Sequence, residues 1–189
     1  PILVSDAYVG GSWKTMLVGG LGKGGKSFYA VDVTDPASIK TEADAANALM
    51  WEFNNADLGY SFGRPLLTKT NAFGKQWVVV VSSGYNNASG EGKLWFLDAK
   101  DGAVLKTLST GVGSGGSPSG LAQFSAYTKE QTNYLAEQIY AGDLEGNFWR
   151  FDISDANSGN WKVEKLAQLT TPGGAPQPVT TAPQIEIDI

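Results

Sequence analysis

An all-β protein built from stacked four-stranded antiparallel sheets is what this sequence predicts, and three observations carry the prediction. A strand–turn–strand segment occurs twice. Residues 1–20 lie over residues 65–84 at an offset of 64 without a gap, matching Pro1 with Pro65, Leu3 with Leu67, Gly10 with Gly74, Trp13 with Trp77 and Gly20 with Gly84. A strand ending in Asp occurs three times: KSFYAVDVTD (26–35), GKLWFLDAKD (92–101) and GNFWRFDISD (146–155) align on Asp32, Asp98 and Asp152. Composition agrees, with 11% aromatic residues, only 17% charged residues and 24 glycines, which suits short strands and tight turns rather than a helical bundle.

The first unit opens with a hairpin and then meets a motif that has to be tested. Gly20–Ser27 (GLGKGGKS) fits G-x-x-x-x-G-K-[ST] at every position. A phosphate loop must leave a strand and enter a helix, so that backbone N–H groups and the helix N-terminus face the phosphates. The next residues here are Phe28-Tyr29-Ala30-Val31-Asp32-Val33, aromatic and β-branched, closed by Asp35-Pro36. That reads as a strand, so the glycine-rich stretch is a hairpin tip. Its counterparts, 82–92 and 142–146, keep no Lys-Ser pair.

In the recurring third strand, Tyr29, Trp95 and Trp149, then Val31, Leu97 and Phe151, take one face, while Phe28, Leu94 and Phe148 take the other. Apolar residues on both faces call for cover on both sides. The terminal Asp suits the turn after the strand, where its carboxylate accepts backbone N–H groups. Residues 41–48 (TEADAANA) read as a short helix capped by Thr41. Fourth strands follow at 49–53, 104–108 and 161–166, and new first strands begin at Pro65, near Leu121 and near Pro183. Four antiparallel strands recurring at intervals of roughly 55 to 66 residues describe β-propeller blades. The expected blades span about 1–54, 64–109 and 119–169, with the first strand of a further blade at about 181–189, all in one partial propeller region over 1–189. The stretches 111–116 (GVGSGG) and 171–183 are expected to be linkers, the former flexible. Three blades do not close a ring, so the open edges and faces call for remaining blades or a second copy. The chain begins at Pro1 rather than Met, which reads as a processed or excised piece.

Composition also bounds function. The net charge is −5 and the pI about 4.7, which argues against nucleic acid or an anionic membrane as the main partner. There is no His and no Cys, so Ser-His-Asp and Cys-His catalysis, thiolate zinc sites and disulfides are excluded. No signal peptide and no apolar run of membrane-spanning length is found.

Five segments in order, 13–36 (WKTMLVGGLGKGGKSFYAVDVTDP), 51–65 (WEFNNADLGYSFGRP), 77–87 (WVVVVSSGYNN), 111–122 (GVGSGGSPSGLA) and 140–152 (YAGDLEGNFWRFD), resemble the propeller domain of the PilC/PilY family of type IV pilus proteins. The resemblance implies a quinoprotein-like, seven-bladed propeller and a non-enzymatic pilus biogenesis factor or tip adhesin. It implies roles in pilus assembly, adhesion and twitching motility. Partners would be minor pilins and the host-cell surface. The place would be the pilus tip or outer surface of a Gram-negative bacterium, reached through the periplasm.

Family members also carry a calcium loop, D-x-D-x-D-x-x-x-D, before YAGD. The matching positions here are Lys129, Gln131, Asn133 and Glu137. Gln131, Asn133 and Glu137 offer oxygens, of which one is anionic, and Lys129 puts an ammonium where the first carboxylate belongs. Calcium prefers several hard, mostly anionic oxygens, so the loop is degenerate and no cofactor is expected. Asn54, Asn55 and Asp57 form a second polar group at spacings that could chelate a cation, although Asx turns explain them more simply. Tyr60, Phe62 and Tyr85 are expected to be exposed near loops, available to a partner. The alternative function is a quinone-dependent dehydrogenase, whose blades look similar. Those enzymes hold the quinone over calcium with an Asp base and often a vicinal cysteine pair. This chain lacks cysteine, and its repeated aspartates sit at turns.

Overall fold

The structure, a computed structural model, describes residues 1–130 and 132–186. Three four-stranded antiparallel sheets follow one another along the chain. The first contains β1 (Ile2–Val9), β2 (Ser12–Gly20), β3 (Ser27–Asp32) and β4 (Leu49–Asn54) in the order β1-β2-β3-β4. The second contains β5 (Leu66–Lys69), β6 (Trp77–Ser82), β7 (Lys93–Asp98) and β8 (Val104–Ser109), and the third β9 (Phe124–Thr128), β10 (Ala136–Gly142), β11 (Asn147–Asp152) and β12 (Lys162–Gln168). Each is an up-and-down meander whose strands pair with their sequence neighbours, as hairpin connections allow.

The sheets stack face to face over two apolar layers. Between the first and second lie Met16, Val18, Phe28, Trp51 and Phe53 against Trp77, Val79, Val81, Trp95 and Leu97. Between the second and third lie Val78, Val80, Leu94, Phe96 and Leu108 against Ile139, Ala141, Trp149, Phe151 and Trp161. Alternation along a strand sends successive side chains to opposite faces, so the middle sheet feeds both layers, and all six residues of β6 are buried. Trp95 and Trp149 both lie between sheets, as the three-fold strand motif requires. Among the described residues no further sheet covers the outer faces of the first and third sheets. Ile2 and Val4 are each 55% exposed on the free face of the first, and Tyr140 stacks on Phe148 on the free face of the third.

Register corrects the sequence alignment by two residues. Gly20 pairs with Phe28 and Ser82 pairs with Leu94, so Gly20 corresponds to Ser82 rather than Gly84. Side chains alternate with period 2, so a slip of two keeps β6 in the expected phase with β2, whereas Leu3 opposite Val18 corresponds to Leu66 opposite Val80, a slip of one that puts Leu67 on the other face. The slip absorbs a longer first hairpin. β1 and β2 continue through the pairs Ala7↔Lys14, Tyr8↔Trp13 and Val9↔Ser12, whereas β5 and β6 stop at Lys69↔Trp77. The extra arm turns on Gly10 and Gly11, with φ of 62° and 88°, the left-handed pair that a two-residue hairpin turn demands.

The predicted helix forms as α1 (Glu42–Ala48). Thr41 is its N-cap, and Asp44 completes a capping box, which satisfies amides that the first turn leaves unpaired. The linker 111–116 is docked rather than flexible. Ser114 and Ser117 exchange backbone hydrogen bonds at 3.0 Å, and the Ser119 N–H donates to the Gly90 carbonyl at 2.8 Å. Gly113 serves close backbone approach, since an added Cβ would lie 2.0 Å from the Gly90 carbonyl oxygen. At the C-terminus, residues 181–186 belong to no strand. Pro183–Glu186 border a cleft with Tyr127, Tyr140 and Phe148, and the rest of the strand expected at 181–189 lies outside the described residues.

Candidate functional site

Antiparallel meanders bring the β2–β3 type of hairpin tip and the sheet-to-sheet connections to one end of the stack. The G-x-x-x-x-G-K-S segment is one of these tips. Strand β3 begins at Ser27, directly after it, so there is no helix N-terminus to face a phosphate. Lys26 donates from Nζ to the Asn86 carbonyl at 3.0 Å and sits 5.5 Å from the Tyr60 ring centroid. Ser27 Oγ donates to Glu52 Oε1 at 2.6 Å. Both residues hold neighbouring segments together.

Asp57 lies in the connection from the first sheet to the second, and its carboxylate reaches into the β6–β7 tip. Oδ1 accepts the Ser89 N–H at 2.7 Å and the Asn87 amide at 3.3 Å, while Oδ2 accepts the Ser89 hydroxyl at 2.8 Å and the Lys93 ammonium at 2.5 Å. Asn55 forms the expected Asx turn, its Oδ1 accepting the Asp57 N–H at 2.9 Å. A cation is therefore present, and it is Lys93. Burial alone would push the Asp57 carboxyl up, but Lys93 and Ser89 outweigh it and hold it below the usual carboxylate range. For Lys93, burial pulls downward, and the Asp57 and Glu91 carboxylates reverse the direction and hold the ammonium above its ordinary value.

Tyr60, Phe62 and Tyr85 are half-buried rather than exposed. Tyr60 and Tyr85 exchange backbone hydrogen bonds across the two sheets, and the Phe62 and Tyr85 rings meet at 5.5 Å. Burial raises the Tyr85 phenol above its usual range. The loops that carry these rings fold inward to satisfy backbone groups, which takes the rings along.

The three strand-ending aspartates act in turns. Oδ1 of Asp32, Asp98 and Asp152 accepts the N–H two residues on, from Thr34, Lys100 and Ser154 at 3.0, 2.9 and 3.1 Å. The Thr34 and Ser154 hydroxyls donate to the same oxygens, and Lys14 pairs with Asp32. Asp143, within YAGD, is fully buried and receives the Glu145 and Asn147 N–H groups, the Asn147 amide and the Trp149 indole N–H, all within 3.0 Å. It is not among the sequence candidates, although Asp with Asn four and Trp six positions later is a legible signal of a carboxylate tying its own hairpin.

In the degenerate calcium loop the Asn133 side-chain oxygen is already engaged in a turn. Asn133 Oδ1 accepts the Leu135 N–H at 2.9 Å, and its amide donates to Glu130 at 3.2 Å. Glu137 lies within β10, Lys129 brings a positive charge, and Gln131 lies outside the described residues. Among the described residues no group of three or more His, Cys, Asp or Glu side chains could hold a metal, and no helix is long and apolar enough to cross a membrane.

Comparison with known proteins gives one consistent answer. A family profile described as the PilY1 beta-propeller domain matches residues 1–171. The chain is 34% identical over 206 residues to the type IV pilus biogenesis factor PilY1 of Pseudomonas aeruginosa strain PAO1, covering 97% of this chain and 17% of that protein. It is 34% identical over 179 residues to a PilY1 homolog of Xylella fastidiosa, covering 90% of this chain and 13% of that protein. The crystal structure of the Pseudomonas aeruginosa PilY1 C-terminal domain superposes with a TM-score of 0.82 at 34% identity, covering 97% of this chain and 40% of that domain. The chain thus spans under one-fifth of the length of the curated relatives it matches.

Proposed function

Because the chain belongs to the PilY1 beta-propeller domain family, we propose that it supplies three neighbouring blades of a type IV pilus biogenesis factor. Its role there is non-enzymatic: it supports pilus assembly, adhesion and twitching motility. The observation that carries this reading is 34% identity sustained over 97% of the chain to a type IV pilus biogenesis factor. The site chemistry points the same way. The aspartates that a catalytic reading would recruit are committed to turns, and there is no His or Cys to supply a nucleophile–base pair. Three sheets fill a stretch that covers 40% of the solved chain, a proportion that supports a ring of seven or eight blades. The remaining blades come from the same parent protein. Its place is the pilus tip or outer surface of a Gram-negative bacterium, reached through the periplasm, with minor pilins and the host-cell surface as partners.

The test is an in-frame deletion of this stretch in its own host. Twitching zones, surface pili and cell adhesion should all fall, and the intact protein should retain minor pilins in a pull-down. A deletion strain that twitches, displays pili and adheres as the parent does would overturn the reading. Titration with pyrroloquinoline quinone and calcium separates the dehydrogenase alternative. Absorbance of bound cofactor would favour the enzyme, and the pilus reading expects none.

A further inference from the structure

At the end of the stack opposite Asp57, the hairpin arm of the first sheet overhangs the second. Its tip carries Tyr8 and Trp13, which are 51% and 60% exposed. The two rings meet edge-on at 5.9 Å, Trp13 meets Trp77 of the next sheet at 6.2 Å, and Trp77 meets Tyr134 at 5.2 Å. A continuous row of rings therefore crosses all three sheets. Exposed aromatic rings that could have been buried point to a binding surface more than exposed aliphatics do.

Beside this row, a shallow crevice of about 130 Å³ separates the arm from the turn after β7, lined by Tyr8, Gly10, Gln76, Trp77, Asp98 and Lys100. Two features of the crevice are left open by the fold. Trp77 is only 4% exposed, and its indole N–H has no acceptor among the described residues, although a buried donor without a partner is destabilising. Asp98 is the one strand-ending aspartate with Lys100 at the second position after it instead of a hydroxyl residue. Among the described residues its Oδ1 therefore accepts only the Lys100 N–H, where Oδ1 of Asp32 and Asp152 also accepts the Thr34 or Ser154 hydroxyl, and its Oδ2 meets the Gln76 amide at a long 3.3 Å.

We propose that this crevice binds a neutral saccharide, with one pyranose ring lying on the Tyr8–Trp13 rim and its hydroxyl groups reaching Asp98, Gln76 and Lys100. The chemistry selects that class. Asp98 and Lys100 carry opposite charges, so neither a cation nor an anion is favoured. The ring faces offer apolar contact, and the acid, amide and ammonium beside them offer an acceptor, a mixed pair and a donor. A pyranose has both surfaces, an apolar C–H face and a polar edge. This inference stands apart from the pilus reading, because either can fail while the other holds.

The intact protein carrying these blades is titrated with chitotriose, cellotriose and maltotriose in turn, followed by tryptophan fluorescence and saturation-transfer NMR. At least one should saturate with a Kd in the range of about 0.1–10 mM. Trp13→Ala should weaken it about tenfold or more, and Trp13→Phe should retain most of the binding. Asp98→Asn, which leaves the arm untouched, should also weaken binding while the Tm stays within a few degrees of the parent. No saturation by any of the three sugars, or saturation that Trp13→Ala and Asp98→Asn both leave unchanged, overturns the proposal. So does a proline-rich peptide that occupies the same rings where the sugars do not.

Discussion

In Asp57 a single carboxylate receives four donors from the tip of the next sheet, and its ionisation is coupled to whether those sheets are joined. Its folded pKa lies below the unfolded value, so the folded protein binds fewer protons there. The stabilisation is present above the unfolded carboxyl value of about 3.9 and is lost as pH falls through the folded one. Lys93 is held high, so its share is full below about 10.4 and goes only in stronger alkali. Asp57→Ala should cost about 2 kcal/mol at neutral pH, read as a shift in the urea midpoint. The gap between variant and parent should close as the pH drops below the carboxyl range. A gap of equal size at neutral and acid pH would mean the carboxylate is not the clasp. Gly90 tests the second joint. Its φ is 75° and an added Cβ would lie 1.9 Å from the Ser114 carbonyl oxygen, a backbone atom that cannot swing aside. Gly90→Ala should therefore destabilise by about 3 kcal/mol, from strain plus displacement of the connection, whereas Gly116→Ala, with open space around it, should be close to neutral.

At the scale of elements, the difference between covered and open faces sets the cost of truncation. Trp95 sits between sheets, 3% exposed and 5.8 Å from the Phe53 ring, so Trp95→Ala should cost about 3–5 kcal/mol. Phe148 occupies the aligned strand of the third sheet but faces its open side, and Phe148→Ala should cost clearly less in chemical denaturation. Equal losses would contradict the stacking order. This contrast also marks what the sequence made legible. Three copies of one strand motif established the four-stranded units, the faces of Trp95 and Trp149, the turn role of the repeated aspartates and the Thr41 cap, because each follows from local periodicity or turn chemistry. Long-range placement was not local. Tyr60 and Tyr85 looked like loop aromatics and are bound to each other across sheets. GVGSGG looked mobile and is a docking strip for Gly90. The pairing of Asp57 with Lys93 spans 36 residues, and no period or motif relates those two positions. The two-residue slip at Gly20 is hidden in the sequence because a gapless alignment matches glycine identity and not strand register.

On the scale of the whole molecule, the stack is an arc with two unlike ends. One end presents Ile2, Val4, Leu17, Tyr29 and Val31, the other Tyr127, Tyr140 and Phe148. Apolar sheet faces of this kind are covered in the inner sheet, and the same residue classes recur on the uncovered ones, which is the pattern of a ring interrupted. A head-to-tail contact between such ends is heterologous, so copies that associate this way build open chains or larger rings rather than closed dimers. The 189-residue chain alone should therefore show concentration-dependent growth in sedimentation velocity, with bound 8-anilinonaphthalene-1-sulfonate fluorescence. Val4→Lys and Phe148→Lys should each suppress the growth, one from either end, and the double variant should gain little over a single one because every contact uses one face of each kind. Extending the chain with its neighbouring blades should abolish both association and dye binding. A sedimentation coefficient that stays constant across the concentration series, with no dye bound, would show that the two faces are stable in water, and the demand for further blades would then lose its physical basis.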